Sequence, residues 1–584
     1  MTGLDTETDH GKAVLIATPR LYTLFPRTFE DCLQFLIGIG DDELICYNGD
    51  YDIAACLKFL PPGLLERLYQ LGRWKWETRL PLWSSAGFIS LHFVPRKFLR
   101  VKAGSKRFTI YDLAQFYNMS LQKAAKEFLG MEKKDPGVSW DELKDALERD
   151  PNRRRKIIDY CLHDARLVEL LARKTAQKFA QIGVPFDRPV SCASLSYRVF
   201  KPHLSFHLSR EINQVGRESF RGGMIECLRT GYFKKAYYID LRSAYPAAIR
   251  ELSECPRLWI PIEKGQLRED ATYASVDCTV RIPSHWSKGW LPYVPIRKAL
   301  LFYPVGRWRS YVDLFSYRQL SSHHLVERVH SGLQGIGYTN KRPFAIDVER
   351  LFKERQNDNQ KKWAIKIILN SLYGKFAETI DYKLPVDIEA VNDIRILNLA
   401  FEGHERFTNH TNFYAAAEVT ARTRWRLIED LDPKDVISYA TDGVFLKRIP
   451  FGLEYGERLG QWSPIETVRD LVVVGSGVYS YRYQKDNQWT ATTKFRGFSS
   501  GLNLYELLDR RRHRVPITLQ RNQKLGASVV TKNWDLFNII RQEERVLDVN
   551  FDRKRKWEKQ WTARELLTRS FESEPWLLVD GVKS

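Results

Sequence analysis

The run from Tyr237 to Ile249, YYIDLRSAYPAAI, constrains this chain most, because its one acidic residue stands where an apolar run ends. Aromatic and branched residues precede Asp240, as is typical of a buried strand, whereas Ser243 and Pro246 end the strand and turn the chain. A carboxylate at such a point often only caps a helix. This segment by itself therefore leaves a helix cap and a functional acid as alternatives.

A second acidic residue lies between two apolar runs, in the sequence VISYATDGVFLK from Val436 to Lys447. The pattern predicts a β-hairpin with Asp442 at its tip, because Thr, Asp and Gly satisfy backbone groups locally in tight turns. Many turns of this composition have no other role. The hairpin therefore becomes informative only together with the segments around it.

Between the two acids, the run KKWAIKIILNSLYGKFA predicts a helix. Four of its side chains recur at i, i+4, i+8 and i+11 and therefore share one face. They are Lys362, Lys366, Asn370 and Tyr373. A stripe of cations and an amide on an apolar helix suits a polyphosphate with a base and a sugar beside it. An amphipathic helix with a solvated lysine face is the alternative.

Together, the three segments resemble the polymerase motifs of family B DNA polymerases, in the family's order. They read DLRSAYP from Asp240, KIILNSLYG from Lys366, and YATD ending at Asp442. The middle segment matches its motif at every defining position, and three ordered motifs are specific where one alone is not. Two departures stand in the last motif, where Ala440 replaces the usual first Asp and Gly443 the usual Ser.

The resemblance implies a two-metal phosphoryl transfer that adds dNTPs to a primer 3′-hydroxyl. Asp240 and Asp442 would bind two Mg²⁺ ions, with Mn²⁺ as an alternative metal. Tyr245 would pack under the sugar of the dNTP and exclude a 2′-hydroxyl. The residues expected to contact the incoming nucleotide are Tyr245, Lys362, Lys366, Asn370 and Tyr373.

Acidic residues near the N-terminus form a second candidate site. In a strand, the sequence LDTET places Asp5 and Glu7 on the same face. Such a pair either lies on the surface or has a cation between its charges. Asp52 follows an apolar run and is predicted to begin a helix, and Tyr160 and Asp164 lie one helical turn apart.

These segments resemble the three exonuclease motifs of proofreading polymerases, Asp-x-Glu, Asn-x-x-x-Asp and Tyr-x-x-x-Asp. The resemblance implies that Tyr160 helps to place the attacking water and that four carboxylates bind two divalent ions. These carboxylates are Asp5, Glu7, Asp52 and Asp164. The expected contacts to the frayed single strand are Thr8, Asn48 and Tyr51, with Ser120 and Leu121 as weaker contacts. The strand that carries Asp5 is expected to be very short, and an active-site lysine of some members has no identifiable position.

A linker ahead of the palm also resembles a family element. The sequence SFRGG resembles the Tyr-x-Gly-Gly linker, with Phe in place of Tyr. It implies DNA contacts by Arg221, Gly222 and Gly223, because paired glycines allow close backbone approach and arginine neutralises a phosphate. A simple interdomain turn is the alternative.

Near the C-terminus, Gly477 stands where the lysine of the family's Lys-x-Tyr element is expected before Tyr479. Lys494 and Arg496, in the sequence KFRG, are therefore the stronger candidates for contacts to the primer end. The basic remainder is expected to be a largely helical thumb that grips duplex phosphates. A solvated run of charges is the alternative.

Composition sets wider limits. The chain has 584 residues, and its 91 Lys and Arg against 71 Asp and Glu give a net charge of +20, which favours a polyanionic partner such as DNA. A ribosomal, membrane-surface or heparin-like role is equally compatible with charge alone. The eight cysteines form no C-x-x-C or Cys/His array, so neither zinc nor a disulfide framework is predicted. Without an apolar run of spanning length or a signal peptide, we expect a soluble, intracellular protein in the cytoplasm, with no membrane partner.

We therefore expect a multidomain chain of α/β and α+β units, in which an RNase H-like 3′-5′ exonuclease domain precedes a right-hand polymerase. The expected ranges are exonuclease 1–185, palm 186–252 and 411–496, fingers 341–378, thumb 497–584, and insertions at 253–340 and 379–410. The insertions resemble the two terminal-protein regions of the protein-primed branch, which serves phages, adenoviruses and linear plasmids. The expected partners are primer-template DNA, a single-stranded 3′ end, dNTPs and a terminal protein.

Three other functions are alternatives to a protein-primed, proofreading polymerase. The chain can be an inactive polymerase relative that serves as a nucleic-acid-binding scaffold, a nuclease with a degenerate palm, or a polymerase that uses a nucleic-acid primer or none. An inactive relative typically loses metal ligands, whereas this chain keeps all six carboxylates.

Overall fold

A computed structural model of the chain describes residues 1–71, 80–84, 87–139, 142–263, 265–285, 301–337, 341–382, 404–485, 487–495, 504–509, 514–579 and 582–583. Among the helices within these ranges, none has the length and apolar character that crossing a bilayer requires.

Nine strands are described in the N-terminal unit. They are β1 (Thr2–Gly3), β2 (Asp5–Asp9), β3 (Lys12–Ala17), β4 (Tyr22–Leu24), β5 (Glu43–Cys46), β6 (Leu80–Ser84), β7 (Gly87–Val94), β8 (Phe98–Ala103) and β9 (Lys106–Asp112). One sheet has the order β1-β5-β9-β8-β7-β6, with β1, β5 and β9 parallel, and β2-β3-β4 form an antiparallel sheet. The helices are Phe29–Gly38, Gly49–Leu57, Pro62–Leu71, Ala114–Tyr117, Leu121–Leu129, Leu143–Arg149 and Pro151–Ala180.

The longest of these helices, Pro151–Ala180, carries Asp164 into the interior. Asp150 caps its N-terminus by accepting from two backbone amides, and Pro151 occupies the first turn, where its missing N–H costs nothing. Cys161 and Asp164 lie on the buried face of the helix, which also carries Val168. Because this face packs against the strands, the carboxylate of Asp164 is directed toward β2.

The rest of the chain contributes nineteen described strands, numbered here in chain order. They are β10 (Ile225–Cys227), β11 (Arg229–Asp240), β12 (Leu258–Pro261), β13 (Ala271–Ile282), β14 (Val305–Asp313), β15 (Val326–Ile336), β16 (Thr379–Tyr382), β17 (His404–Phe407), β18 (Val436–Ala440), β19 (Gly443–Leu446), β20 (Glu466–Gly475), β21 (Val478–Lys485), β22 (Gln488–Phe495), β23 (Arg514–Asn522), β24 (Ile540–Asp548), β25 (Lys556–Trp557), β26 (Ser570–Glu574), β27 (Leu577–Val579) and β28 (Val582–Lys583).

The central sheet has the order β10-β18-β19-β11-β20-β21-β22, and β26 adds to the N-terminal part of β11. A second sheet, β12-β15-β13-β14-β27-β28, is built mainly from the expected insertion 253–340. Strands β16 and β17 form a separate hairpin. The two sheets share a hydrophobic core, in which Ile239 and Val444 of the first meet Val276 of the second.

The helices of this part are Cys192–Phe200, Arg210–Ser219, Ala244–Arg250, Leu314–Ser322, Ala345–Asn357, Lys362–Phe376, Phe413–Glu429, Leu504–Leu508 and Leu525–Thr531, with short 3-10 turns at Lys201–His203 and Glu565–Leu567. The helix Lys362–Phe376 confirms the predicted helix. Its apolar face, with Ile365 and Ile368, joins the core that contains Phe179 of the N-terminal unit. The Ser196 hydroxyl donates to the Ile368 carbonyl oxygen at 2.7 Å, which fixes this side of the helix against its neighbour. The lysine-bearing face is on the other side of the helix and faces the central sheet.

The expectation of a largely helical C-terminal part is wrong, because strands outnumber helices among the residues described there. In β23, Ile517 and Leu519 are buried while the residues between and beside them are exposed, which is the period of two that a strand requires. The many Lys and Arg residues in this part of the chain make the period of two difficult to recognise in the sequence.

The hairpin β23–β24 also reaches back to the N-terminal unit. Leu525 and Phe537, at its tip, are part of that unit's hydrophobic core. Lys524 Nζ lies 2.7 Å from Asp50 Oδ2. The tip is therefore held by apolar packing as well as by an ion pair.

Candidate functional site

The two acids of the polymerase-like segments lie side by side at the edge of the central sheet. Asp240 is the last residue of β11 and pairs with Gly443 of β19, next to Asp442 in the turn. The backbone amide of Leu241 donates to the Asp442 carbonyl oxygen at 2.9 Å. Strands β18 and β19 confirm the predicted hairpin and place Asp442 in its turn. Sheet pairing therefore brings together two carboxylates that are far apart in the sequence.

The electrostatics of this pair are those of a cation site. Burial raises the pKa of the Asp442 carboxyl, and the charge of Asp240 raises it further. The charges of Lys494 and Lys366 act in the opposite direction. A carboxyl whose pKa is raised by a neighbouring acid, with lysines close by, suits a divalent ion and an anionic ligand together.

A cavity of about 710 Å³ lies over the acid pair. It brings together side chains from the three segments that the sequence singled out. Those in its lining include Asp240, Tyr245, Lys362, Lys366, Asn370 and Asp442. Arg355, which the sequence did not indicate, also lines it and donates to the Ser243 hydroxyl at 2.8 Å. The predicted cationic stripe thus faces the two acids.

At one side of the cavity, Tyr245 contacts Tyr373 with ring centroids 4.7 Å apart. Gly223 lies against the same tyrosine. A Cβ atom on Gly223 would lie 2.9 Å from the Tyr245 hydroxyl and 2.8 Å from Thr441 Cγ2, so a side chain there is excluded. No neighbouring atom lies that close to Gly222. The close approach expected of the paired glycines therefore applies to the second one only.

The linker that carries these glycines is held by the helix Phe413–Glu429. The Arg424 guanidinium donates to the carbonyl oxygens of Arg221 and Gly222, at 2.9 and 2.8 Å. The Thr420 hydroxyl also donates to the Arg221 carbonyl oxygen, at 2.6 Å. The side chain of Arg221 donates to carbonyl oxygens of its own segment, and burial lowers its pKa, as does Arg424.

A second cluster of acids lies in the N-terminal unit. Asp5 and Glu7 are both on β2, and their carboxylates lie within 4.8 Å of each other and of Cys161 Sγ. Asp52 accepts from the amide and hydroxyl of Thr6, at 3.2 and 2.9 Å. Its helix begins at Gly49, three residues before the predicted start, so Asp52 lies within the first turn.

Burial gives this cluster unusual acidities. Burial, followed by the charge of Asp164, raises the pKa of the Asp5 carboxyl to about 7. Burial also raises the pKa values of Glu7, Asp52 and Asp164. Asp5 Oδ2 and Asp164 Oδ1 are buried and, among the described residues, have no hydrogen-bond partner. Unpaired carboxylate oxygens in one buried cluster fit a divalent cation, which needs such ligands.

The sequence did not indicate Lys133, which belongs to this cluster. Its Nζ lies 2.5 Å from Asp164 Oδ2 and 5.0 Å from the centre of the Tyr160 ring. Burial lowers the pKa of this ammonium group, but the Asp164 carboxylate outweighs burial, so that the pKa is raised overall. Lys133 lies in an irregular segment without periodicity, MEKKDPG, and nothing in that pattern marks which lysine points inward.

Next to the acids, the Thr8 hydroxyl and the Tyr51 hydroxyl share a hydrogen bond of 2.8 Å. Asn48 has a left-handed backbone conformation (φ 76°), and its backbone amide donates to the Asp112 carboxylate. Ser120 is exposed and caps the helix Leu121–Leu129. Leu121 itself is buried in the hydrophobic core. The single-strand contacts assigned to these residues stay predictions.

The model of a family described as DNA polymerase type B, organellar and viral, matches residues 131–421. This range contains Asp164, Asp240 and the helix Lys362–Phe376. The chain belongs to the type B DNA polymerases.

Other comparisons agree with this family. The DNA polymerase of Acidianus bottle-shaped virus (isolate Italy/Pozzuoli) is 24% identical over 444 residues, which cover 69% of this chain and 61% of the relative. The chain thus spans less than two thirds of that relative. Phi29 DNA polymerase bound to primer-template DNA has a TM-score of 0.63 at 16% identity, over 94% of this chain and 99% of the phi29 chain. With single-stranded DNA the TM-score is 0.59 at 17% identity, over 85% and 92% of the chains. The expected multidomain fold is confirmed.

One departure from the type B motifs, Gly477, has a structural reason. Gly477 is in the turn between β20 and β21 with φ at 79°, a conformation that strains lysine. Lys494 pairs with Tyr479 across β21 and β22, and its charge acts on Asp442. A lysine thus reaches the acids from the neighbouring strand, and Arg496 lies outside the described residues.

Glu466 is a further acid that the type B motifs did not indicate. It lies on β20 opposite Tyr238, and burial followed by the charge of Asp240 raises its pKa. An isolated Glu at the start of a strand carries no recognisable pattern. Arg424, by contrast, had a usable signal, because a cation within the apolar helix sequence FYAAAEVTARTRW needs buried partners.

Proposed function

We propose that this type B chain is a template-directed DNA polymerase that adds dNTPs to a primer 3′-hydroxyl and removes mispaired ends by 3′-5′ hydrolysis. The observation that carries the proposal is the cavity that joins Asp240 and Asp442 to the cationic face of the helix Lys362–Phe376. The buried acid cluster of the N-terminal unit supports the hydrolytic activity.

In the synthetic site, Asp240 and Asp442 would hold two Mg²⁺ ions through their carboxylates. When bound, these ions lower the pKa of the primer hydroxyl and stabilise the pyrophosphate that leaves. Lys366 and Lys362 neutralise the triphosphate, since they line the same cavity as the acids. Tyr245, which contacts Tyr373 and lies against Gly223, would support the sugar and exclude a 2′-hydroxyl.

In the hydrolytic site, Asp5, Glu7, Asp52 and Asp164 would hold two divalent ions, which activate water for attack on the terminal phosphodiester. Lys133, whose Nζ lies 2.5 Å from Asp164 Oδ2, lowers the pKa of Asp164 and so opposes the larger effect of burial. Because Lys133 also contacts the Tyr160 ring, it positions the residue proposed to orient the water. Thr8, Asn48 and Tyr51 hold the frayed end beside these acids.

Two assays on matched variants test both activities. Primer extension and single-strand degradation are measured on the unchanged chain, Asp240→Asn and Asp5→Ala. The proposal expects Asp240→Asn to lose only extension and Asp5→Ala to lose only degradation. An unchanged chain that binds DNA but performs neither reaction would instead be a binding scaffold, and one that only degrades would be a nuclease.

We propose further that synthesis starts on a hydroxyl of a terminal protein. Support comes from the resemblance of insertions 253–340 and 379–410 to terminal-protein regions, and from the match in fold to phi29 DNA polymerase. The substrates of such an enzyme place its action inside a cell, in the host cytoplasm if a phage or plasmid encodes it. Incubation with a candidate terminal protein, template and one labelled dNTP should give a labelled covalent adduct. Active primer extension without any adduct contradicts protein priming.

A further inference from the structure

Tyr238 lies on the same face of β11 as Asp240, because the two residues are two positions apart in one strand. Its cross-strand neighbours are Phe445 on β19 and Glu466 on β20. The ring centroids of Tyr238 and Phe445 are 5.0 Å apart. The tyrosine ring is therefore fixed on the face of the sheet that carries the catalytic acid.

The hydroxyl end of Tyr238 extends over Gly443, which is the diagonal neighbour in the next strand. A Cβ atom on Gly443 would lie 2.3 Å from the Tyr238 hydroxyl oxygen and 2.9 Å from Cζ. Gly443 does not have a positive φ, so its backbone would accept other residues. The glycine is required by the approach of the tyrosine, whose hydroxyl fills the space of a side chain at position 443.

This places a hydroxyl beside both acids, at the position where the family motif has the hydroxyl of a serine. Among the described residues, no hydrogen-bond partner of the Tyr238 hydroxyl is found. A tyrosine hydroxyl is protonated at neutral pH and can donate a hydrogen bond.

The face around Tyr238 continues toward the residues proposed to hold the primer. Tyr481 is stacked with its ring centroid 6.5 Å from that of Tyr238, and Tyr479 lies 5.0 Å from Phe445. Lys494 is the cross-strand partner of Tyr479. An aromatic surface thus leads from Lys494 to Asp240, and a primer end held by Lys494 would lie along it.

We infer that Tyr238 is a primer-positioning residue, whose hydroxyl donates a hydrogen bond to the backbone of the primer's terminal nucleotide. In the family motif, a serine at the position of Gly443 carries a hydroxyl. In this chain Tyr238 would supply that hydroxyl instead. This inference rests on the proposed synthetic activity. It adds to that proposal a residue outside the recognised motifs.

The first test is Tyr238→Phe, which removes the hydroxyl and keeps the ring. We expect roughly a fivefold to tenfold higher KM for primer-template, which is within the usual net effect of losing one hydrogen bond. The KM for dNTP and the degradation of single strands should not change. Thermal unfolding monitors the fold of each variant.

A rescue experiment separates hydrogen bonding from packing. Because the Cζ atom of a ring would still collide with a side chain at 443, the rescue uses Tyr238→Leu as its background. In that background, Gly443→Ser restores a hydroxyl in the vacated space, and Gly443→Ala fills the space without one. We expect the serine to bring the KM for primer-template back toward the original value and the alanine not to do so.

The outcomes are distinguishable from failure of the proposed function. If the unchanged chain extends no primer, the synthetic activity itself is wrong. If it extends primers and Tyr238→Phe has an unchanged KM for primer-template, the role of the hydroxyl is wrong. Equal rescue by alanine and serine would also overturn it, because packing alone would then explain the loss.

Discussion

The two acidic sites of this molecule differ in the environment that surrounds their mutually repelling carboxylates. At Asp240 and Asp442, the acids stand at a sheet edge below an open cavity, and Lys366 and Lys494 offset their charge. In the N-terminal unit, Asp5 is half-buried and its acidic neighbours are buried, and burial is the largest cause of their raised pKa values. The comparison indicates that the buried cluster depends more on a bound cation than the open pair does.

The largest expected effect tests whether the two sites act independently. Asp442→Asn should lower primer extension on the order of 10³-fold, because it removes a metal ligand from the phosphoryl-transfer site. Asp164→Asn should do the same to single-strand degradation. Steady-state rates of both reactions are measured for both variants. Loss of both reactions in either variant would contradict two separate sites.

The second prediction concerns the lysine of the buried cluster. Lys133→Gln should lower single-strand degradation roughly 10- to 100-fold, since it removes the partner that orients a metal-binding carboxylate. Extension should be unaffected. Lys134→Gln is the matched control, because the adjacent Lys134 is exposed. Equal effects of the two substitutions would mean that only net charge matters.

The third prediction concerns the lysines of the open site. Lys366→Gln should raise the KM for dNTP about tenfold, the usual scale for one charge-assisted hydrogen bond. Lys362→Gln should have a smaller effect, because the charge of Lys366 is the one that acts on Asp442. Extension is measured against dNTP concentration at saturating primer-template. A larger effect of Lys362→Gln than of Lys366→Gln would mean that the triphosphate binds one helical turn earlier, at Lys362.

The smallest expected effect concerns folding without metal. The Asp5 pKa is raised from 3.8 to about 7, so in this range the native chain binds a proton that the unfolded chain does not. Stability is therefore lost as the pH rises from about 4 to 7. A rise in pKa from 3.8 to about 7 corresponds to about 4 kcal/mol. Because Asp5 is partly exposed and solvent screens its charge, we expect Asp5→Asn to remove this loss and to stabilise the metal-free protein at pH 8 by only on the order of 1 kcal/mol.

Denaturant unfolding in EDTA, at pH 5 and pH 8, measures this effect. The stabilisation by Asp5→Asn should be smaller at pH 5, where more of the native Asp5 is already protonated. Addition of Mg²⁺ at pH 8 should stabilise the unchanged chain more than the Asp5→Asn variant, because only the unchanged chain has all four carboxylates of the cluster. A difference between the two chains that is the same at both pH values would contradict burial as the cause.

The sequence predicted the elements whose signal is local. The hairpin around Asp442 and the helix with Lys366 follow from turn chemistry and from periodicity, and both are confirmed. The strand of Asp5 and Glu7 was implied by the resemblance to the exonuclease motifs, and the spacing of the two acids agrees with it. The prediction of C-terminal helices is wrong, because it rested on the density of basic residues and not on the period of two that β23 shows.

Motifs and their order were therefore enough to determine the family, the fold class and the six acids to test. Only the tertiary structure decided which side chains surround those acids: Lys133, Arg424, Glu466 and the close contact of Tyr238 with Gly443. The physical reason is that periodicity records which face of an element is buried, whereas a contact between elements depends on sheet register and helix packing. The register that sets Asp240 opposite Gly443 is such a contact, and it places the two acids at one site.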